Sequence, residues 1–144
     1  MLWNEEYNVG IEQLDSEHRQ IFEEINRLED TMGIMMKDCS KELRELFLFI
    51  EDHVLRHFPE EEKLMQEYHY PDLERQKSQH CEFKQLFFNS KNRLEIEGAS
   101  SAFTLFTKDI IICWMKTHII NMDRSFGDYL KANRTAKVLS EYLK

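Results

Sequence analysis

The chain has 144 residues, which suits one domain and leaves little room for two. Its 42% hydrophobic, 12% aromatic and 32% charged residues, with four glycines and two prolines, exclude a disordered or turn-rich chain and point to a helical one. The 19 Lys+Arg against 27 Asp+Glu leave a formal net charge of -8 and no cationic cluster, so neither a nucleic acid nor an anionic membrane is expected as a partner.

Cys39, Cys81 and Cys113 are odd in number and form no CxxC pair, which argues against a disulfide framework or a thiolate zinc site and suits a reducing cytoplasm. The N-terminal residues lack a basic flank followed by an apolar stretch. The longest apolar run, Ile110 to Met115, falls far short of the roughly 18 residues that span a bilayer.

In chain order, His18, Ile21, Phe22, Ile25, Leu28 and Met32 recur at three- and four-residue steps and predict a helix from about Ser16 to Met36, with Asp15 or Ser16 as its N-cap. Leu43, Leu46, Phe47, Ile50, His53, Val54, His57, Glu61 and Leu64 form the next stripe, capped by Ser40 and stopped at Tyr68-His-Tyr-Pro71. Pro71 suits the first turn of a third helix, where its missing N–H costs nothing. That helix carries Leu73, Gln76, His80, Phe83, Phe87 and Leu94 and leaves at Gly98. The fourth begins near Ser101 with Phe103, Phe106, Ile110, Trp114 and His118, and Thr135 to Leu143 predict a short last helix.

Four helices with short connections fold most economically as an all-α, antiparallel up-down-up-down four-helix bundle, here with an N-terminal arm. One domain is expected over residues 1–144.

Each of the four stripes contains a histidine: His18, His57, His80 and His118. A solitary histidine on an apolar face is usually a satisfied core residue. Four of them, one per helix, would leave several polar groups unpaired in a dry core unless they shared a metal. His57 and Glu61 are four apart and so reach the same region from one helix. Glu60 and Glu62 read as a solvated acidic run.

On the fourth helix His118 and Asp123 are five apart, which in a regular helix puts them about 140° from one another. Both can face the site only if the helix widens into a π-type turn or breaks, and by spacing alone Asn121 is an equal candidate. No HExxH or ExxH pair occurs. Imidazoles with one or two carboxylates favour iron, or manganese, cobalt or zinc, over calcium or magnesium.

Taken together, Trp3-Asn-Glu through Val9-Gly-Ile, Leu14-Asp-Ser-Glu-His18, His57-Phe-x-x-Glu61-Glu-x-Leu-Met65, Tyr70-Pro71, His80-x-x-Phe83 and Trp114-x-x-x-His118-Ile-x-x-x-Asp123 resemble the bacteriohemerythrins of the hemerythrin family, from residue 3 to about residue 130. The resemblance implies a four-helix bundle with an oxo- or hydroxo-bridged non-haem di-iron centre that binds O2 reversibly as a carrier, store or sensor. It assigns His18 and His57 to the iron that accepts O2, His80 and His118 to the second iron, and Glu61 and Asp123 to both. It also favours Asp123 over Asn121.

One ligand departs from that pattern. The third helix of the family carries two histidines four apart, and the earlier position here is Gln76. Its amide oxygen can coordinate, hydrogen-bond a water or leave the position open. An amide is a poorer donor than imidazole, so weaker or more selective loading, including manganese or a mixed metal pair, is expected there.

An open position would also suit an oxidase or peroxidase; a metal-binding bundle without O2 chemistry is the remaining alternative. His53, where the family often has tyrosine, reads as a core histidine, a hydrogen-bonding neighbour of a ligand, a proton donor or a replacement ligand. Its place on the second helix argues against filling the Gln76 vacancy. His69 is expected in an exposed turn, and Cys81 and Cys113 as buried inert thiols.

Overall fold

The computed structural model describes residues 3–33 and 38–142, the side chains of residue 13 and residues 135–140 excepted. An N-terminal arm with a 3-10 turn at Glu5–Tyr7 leads into α1, Glu12–Met32. Helix α2 runs through Ser40–Asp52, a π-helical turn His53–His57 and Phe58–Glu67. Helix α3 is Leu73–Glu97, and α4 joins Ser101–Phe106, Thr107–Ile112, Cys113–Thr117, His118–Asp123 and Arg124–Tyr142, the second and fourth of these segments being π-helical.

The apolar faces close into two clusters of unequal size. The larger contains Ile21, Phe22, Ile25 and Leu28 of α1, Leu43, Leu46 and Ile50 of α2, Phe83 and Phe87 of α3, and Phe103, Ile111 and Ile119 of α4. The smaller gathers Val9, Leu14, Met65, Tyr70, Phe126 and Leu130. Fully burying each such side chain stabilises the fold by roughly 1.5–3 kcal/mol.

The register along each helix gives the topology. Helix α1 passes from the smaller cluster at Leu14 to the larger at Ile21, whereas α2 runs from Ile50 to Met65 in the opposite sense. Helix α3 goes from Leu73, packed on the smaller cluster, to Phe83, and α4 returns from Ile119 to Phe126. Alternating directions make an up-down-up-down bundle. His18, Glu61, Gln76 with His80, and Asp123 fall in the interval between the two clusters, and His118 stands at its edge beside Ile119.

Several expected boundaries shift. The cap of α1 is Ile11, which offers no side-chain bond, because the Asp15 carboxylate is engaged by the arm: Val9 N–H donates to Oδ1 at 2.6 Å and Gly10 N–H to Oδ2 at 3.1 Å. Gly33 follows the last residue of α1, and positions 34–36 lie outside the described residues. Ser40 is the first residue of α2, not its cap; Asp38 Oδ1 accepts from its N–H and hydroxyl. Pro71 sits in the turn before α3, whose exit at Gly98 has a positive φ of 80°. Residues 135–142 continue α4 without a break, so the described tail forms no separate helix; Leu143 lies outside the described residues.

The π-helical turns explain which faces point inward. Pro59 lacks the N–H that would close a regular turn, and its ring would crowd the carbonyl four residues back. The chain widens just before it, and Phe58 N–H donates to His53 O, five residues earlier. In α4 the turn Thr107–Ile112 adds a residue to the repeat. Ile111 and Ile112 are therefore buried, and Ile110, expected on the inward stripe, is exposed.

Candidate metal centre

All seven predicted site residues are buried where the larger apolar cluster gives way to the smaller, none more than 3% exposed. Helix α1 supplies His18, α2 His57 and Glu61, α3 Gln76 and His80, and α4 His118 and Asp123. A π-helical turn occupies His118–Asp123, and Arg124 N–H donates to Ile119 O five residues back. It brings His118 Nε2 to 3.2 Å from Asp123 Oδ1, while Asn121 is exposed. The widened turn thus puts Asp123, and not Asn121, on the inward face beside His118.

The two carboxylates stand between two groups of imidazoles. Glu61 Oε1 lies 3.1 Å from His18 Nε2, and Oε2 lies 3.6 Å from His80 Nε2. Asp123 Oδ2 lies 3.5 Å from His18 Nε2, and Oδ1 faces His118. Each therefore turns one oxygen toward α1 and the other toward an imidazole of α3 or α4. Glu61, His80, His118 and Asp123 each place a donor atom within 4.8 Å of the others.

His57 approaches Glu61 less closely than His18 or His80 does. Its Nδ1 is 3.9 Å from Glu61 Oε1, and its Nε2 contacts Glu17 Oε2. Gln76 donates from its amide nitrogen to Asp123 Oδ1 at 3.5 Å, and its carbonyl oxygen has no partner.

Supporting groups surround these side chains. His118 Nδ1 is bonded to Gln79 Oε1 at 3.1 Å, which leaves Nε2 as the free donor atom. Glu62, expected in solvent, is half-buried with Oε2 3.5 Å from His80 Nδ1. Phe58 stacks on His80 at 3.8 Å and Trp114 on His118 at 4.6 Å, so an apolar face covers one side of each ring. Sequence reasoning passed over Glu17 and Gln79, each beside a candidate ligand in the chain and so off its face in a simple wheel.

Charge in the site is dominated by burial. It pushes His57 down to about 4 and, with His118 nearby, His80 to about 3; it lowers His53 well below its usual value, with His18 adding to the effect. Glu61 is pushed up to about 7 by burial and then by Asp123. Burial also pushes Asp123 upward, but His118, His18 and His80 outweigh it and hold the carboxyl well below its usual range. His18 and His118 are raised despite burial, His18 mainly through Glu61 and His118 mainly through Asp123.

This cluster is incomplete as a self-contained hydrogen-bond network. Glu61 Oε2, Asp123 Oδ2, Gln76 Oε1 and the ring nitrogens of His53 are buried without hydrogen-bond partners. His80 Nε2 and His118 Nε2 also point at one another, 3.1 Å apart. Convergent lone pairs of this kind suit a cation, and the nitrogen and carboxylate donors suit a transition metal.

The hemerythrin HHE cation binding domain matches residues 9–130. The chain belongs to the hemerythrin family. It is similar to the bacteriohemerythrin of Clostridium acetobutylicum, with 28% identity over 88% of this chain and 98% of that protein. The myohemerythrin of Theromyzon tessulatum is 31% identical over 84% of this chain and 86% of its own length. The bacteriohemerythrin of Stenotrophomonas maltophilia is 26% identical over 92% and 83% respectively.

Among the remaining expectations, His69 is exposed in the turn after α2, as expected. Cys81 and Cys113 are exposed rather than buried: each is rotated off the inward stripe of its helix. Phe22, Phe47, Phe83 and Phe87 are core, with Trp3 and Trp114 partly buried against them. Among the described residues no helix is long and apolar enough to cross a membrane.

Proposed function

We propose that this hemerythrin-family chain holds two iron ions between its four helices and binds O2 reversibly, as a carrier, store or sensor. The observation that carries the reading is the pair of carboxylates, Glu61 and Asp123, each offering one oxygen to His18 and the other toward His80 or His118. A single ion needs no such spanning arrangement; two adjacent ions do. His18 and His57 would hold one iron, His80 and His118 the other. When bound, the iron pair supplies the electrons that O2 binding draws on and release returns.

The protein's own contribution is positioning and exclusion of water. Gln79 fixes the ring of His118, Glu17 touches that of His57, and Phe58, Trp114 and Trp3 lay aromatic surface against His80, His118 and His18. A dry wall opposes loss of reduced oxygen to water, the route to irreversible oxidation. The exposed thiols of Cys81 and Cys113 accord with a reducing cytoplasm.

The test is anaerobic loading with ferrous iron, metal analysis, and cycling between O2 and vacuum. Two irons per chain and a visible absorption that appears with O2 and vanishes under vacuum are expected. Fewer than two metals, or oxidation complete on first exposure, would refute it. Gln76 gives a second reading specific support, because its buried carbonyl oxygen has no partner, and a surface cleft of about 370 Å³ lined by Gln79, Trp114 and His118 reaches His118 on the same side of the bundle. An oxidase or peroxidase would use that side, and Gln76→His would then lower turnover while lengthening the life of the oxygenated form.

A further inference from the structure

The chain lost an imidazole at position 76 relative to its family's pattern, and the structure shows where another stands. His53 is 1% exposed, and neither of its ring nitrogens has a hydrogen-bond partner. A buried imidazole with no partner at either nitrogen is costly, by a few kcal/mol on the usual scale for unpaired polar groups. The groups around it are candidate metal ligands: it has a donor atom within 4.8 Å of those of His18 and Glu61, and one equally close to those of Glu17 and His57.

The π-helical turn His53–His57 creates this arrangement. Forced open ahead of Pro59, it stacks the rings of His53 and His57 at 4.6 Å and carries His53 to within 5.4 Å of the His18 ring. Phe58 closes the other side edge-on at 5.1 Å, supplying no hydrogen-bond partner. Three imidazoles, His18, His53 and His57, thus meet between α1 and α2. On the α3 and α4 side there are two, His80 and His118, with Gln76 in the third place.

We propose that His53 is a third imidazole ligand of the metal held by His18, His57 and Glu61, so that the ligand-rich metal lies between α1 and α2 and the open coordination position lies beside Gln76. The inference rests on the two-metal reading above and reverses the distribution of imidazoles that the resemblance implies. It also gives the cleft beside His118 a use, since a small ligand arriving there approaches the metal with the vacancy. Neither His53 nor Gln76 alone leads to this conclusion; the relocation follows from both.

Crystallography of the cobalt-loaded protein, with anomalous scattering to locate the metals, tests it directly. Two peaks are expected, one with a His53 nitrogen at about 2.1 Å, the usual separation for a metal-bound imidazole. Two peaks with both His53 nitrogens more than about 3 Å from either metal would overturn the proposal and leave the two-metal centre intact. Fewer than two metals on the cluster would overturn the two-metal reading itself.

Cobalt titration of His53→Gln and His53→Leu provides the solution measurement, the amide variant being retained should the apolar one fail to fold. One of the two binding steps should weaken by more than about 100-fold, beyond the range for losing a group that merely orients a ligand. Unchanged affinity at both steps would refute ligation by His53.

Discussion

Replacing Gly127 with alanine tests how the arm is held over the His18 end of the bundle. Gly127 lies inside α4, where alanine is the better helix former by roughly 1 kcal/mol. A Cβ built there would stand 2.8 Å from Val9 Cα and 3.0 Å from both Asn8 O and Val9 O. Carbon atoms rest at about 3.5–4.0 Å, so the new methyl is at least about 0.7 Å too close to backbone that cannot rotate away. Overpacking of this kind costs about 1–3 kcal/mol when the neighbours shift slightly.

A larger shift of the arm would expose Val9 and strip the buried Asp15 carboxylate of two N–H donors, each worth about 1.5–3 kcal/mol. Set against the helix-propensity gain of roughly 1 kcal/mol, a net loss of up to about 2 kcal/mol is expected for the slight shift, and more if the arm moves away. That lowers the melting temperature by about 3 °C per kcal/mol in a chain of this size. Thermal denaturation, with hydrogen exchange at the Val9 and Gly10 amides, measures both parts. Gly33→Ala is the control, because its nearest neighbour would be at an ordinary 3.4 Å. A Gly127→Ala protein as stable as wild type, with the Val9 amide still protected, would refute the close approach.

Three further outcomes are expected. Gln76→His should add an imidazole beside Asp123 and strengthen the weaker metal-binding step, read by titration; no change would mean that position 76 does not reach a metal. Gln79→Leu frees the Nδ1 of His118 and should cost about 10–100-fold in metal affinity at one step with little change in the fold, read by titration and circular dichroism.

In metal-free protein the buried His53, His57 and His80 resist protonation that the unfolded chain accepts below 6.5, so stability falls as pH drops from there toward about 4. Glu61, raised to about 7, acts oppositely: the fold favours its protonated form, and that contribution is lost as pH rises through 7. His18 and His118, also raised, add to the loss above 6.5. Thermal melts in chelator should therefore peak near about pH 6.5. A melting temperature climbing steadily to alkaline pH would contradict the assignment.

Helical periodicity alone located the four helices, their inward stripes and one histidine on each, because a 3.6-residue repeat is a local property that apolar spacing displays directly. The low glycine and proline content belongs to the same reading: uninterrupted helices hold ligands on facing stripes. Where the helices depart from that repeat, local reading failed. It placed Ile110 inside, left Asp123 and Asn121 equal, and put His53 on the inward stripe of the second helix without deciding its role, since each answer depends on a residue gained in a π-helical turn.

Only the packed bundle decided those points. Widening a turn sacrifices regular backbone bonding: Pro59 imposes that loss within α2, and contacts with other helices offset it, Asp123 reaching His18 across the bundle and His53 meeting His18 of α1. The absence of a histidine at position 76 was visible in the chain by resemblance. That a different imidazole stands partnerless on the opposite side of the two carboxylates is a fact of tertiary structure.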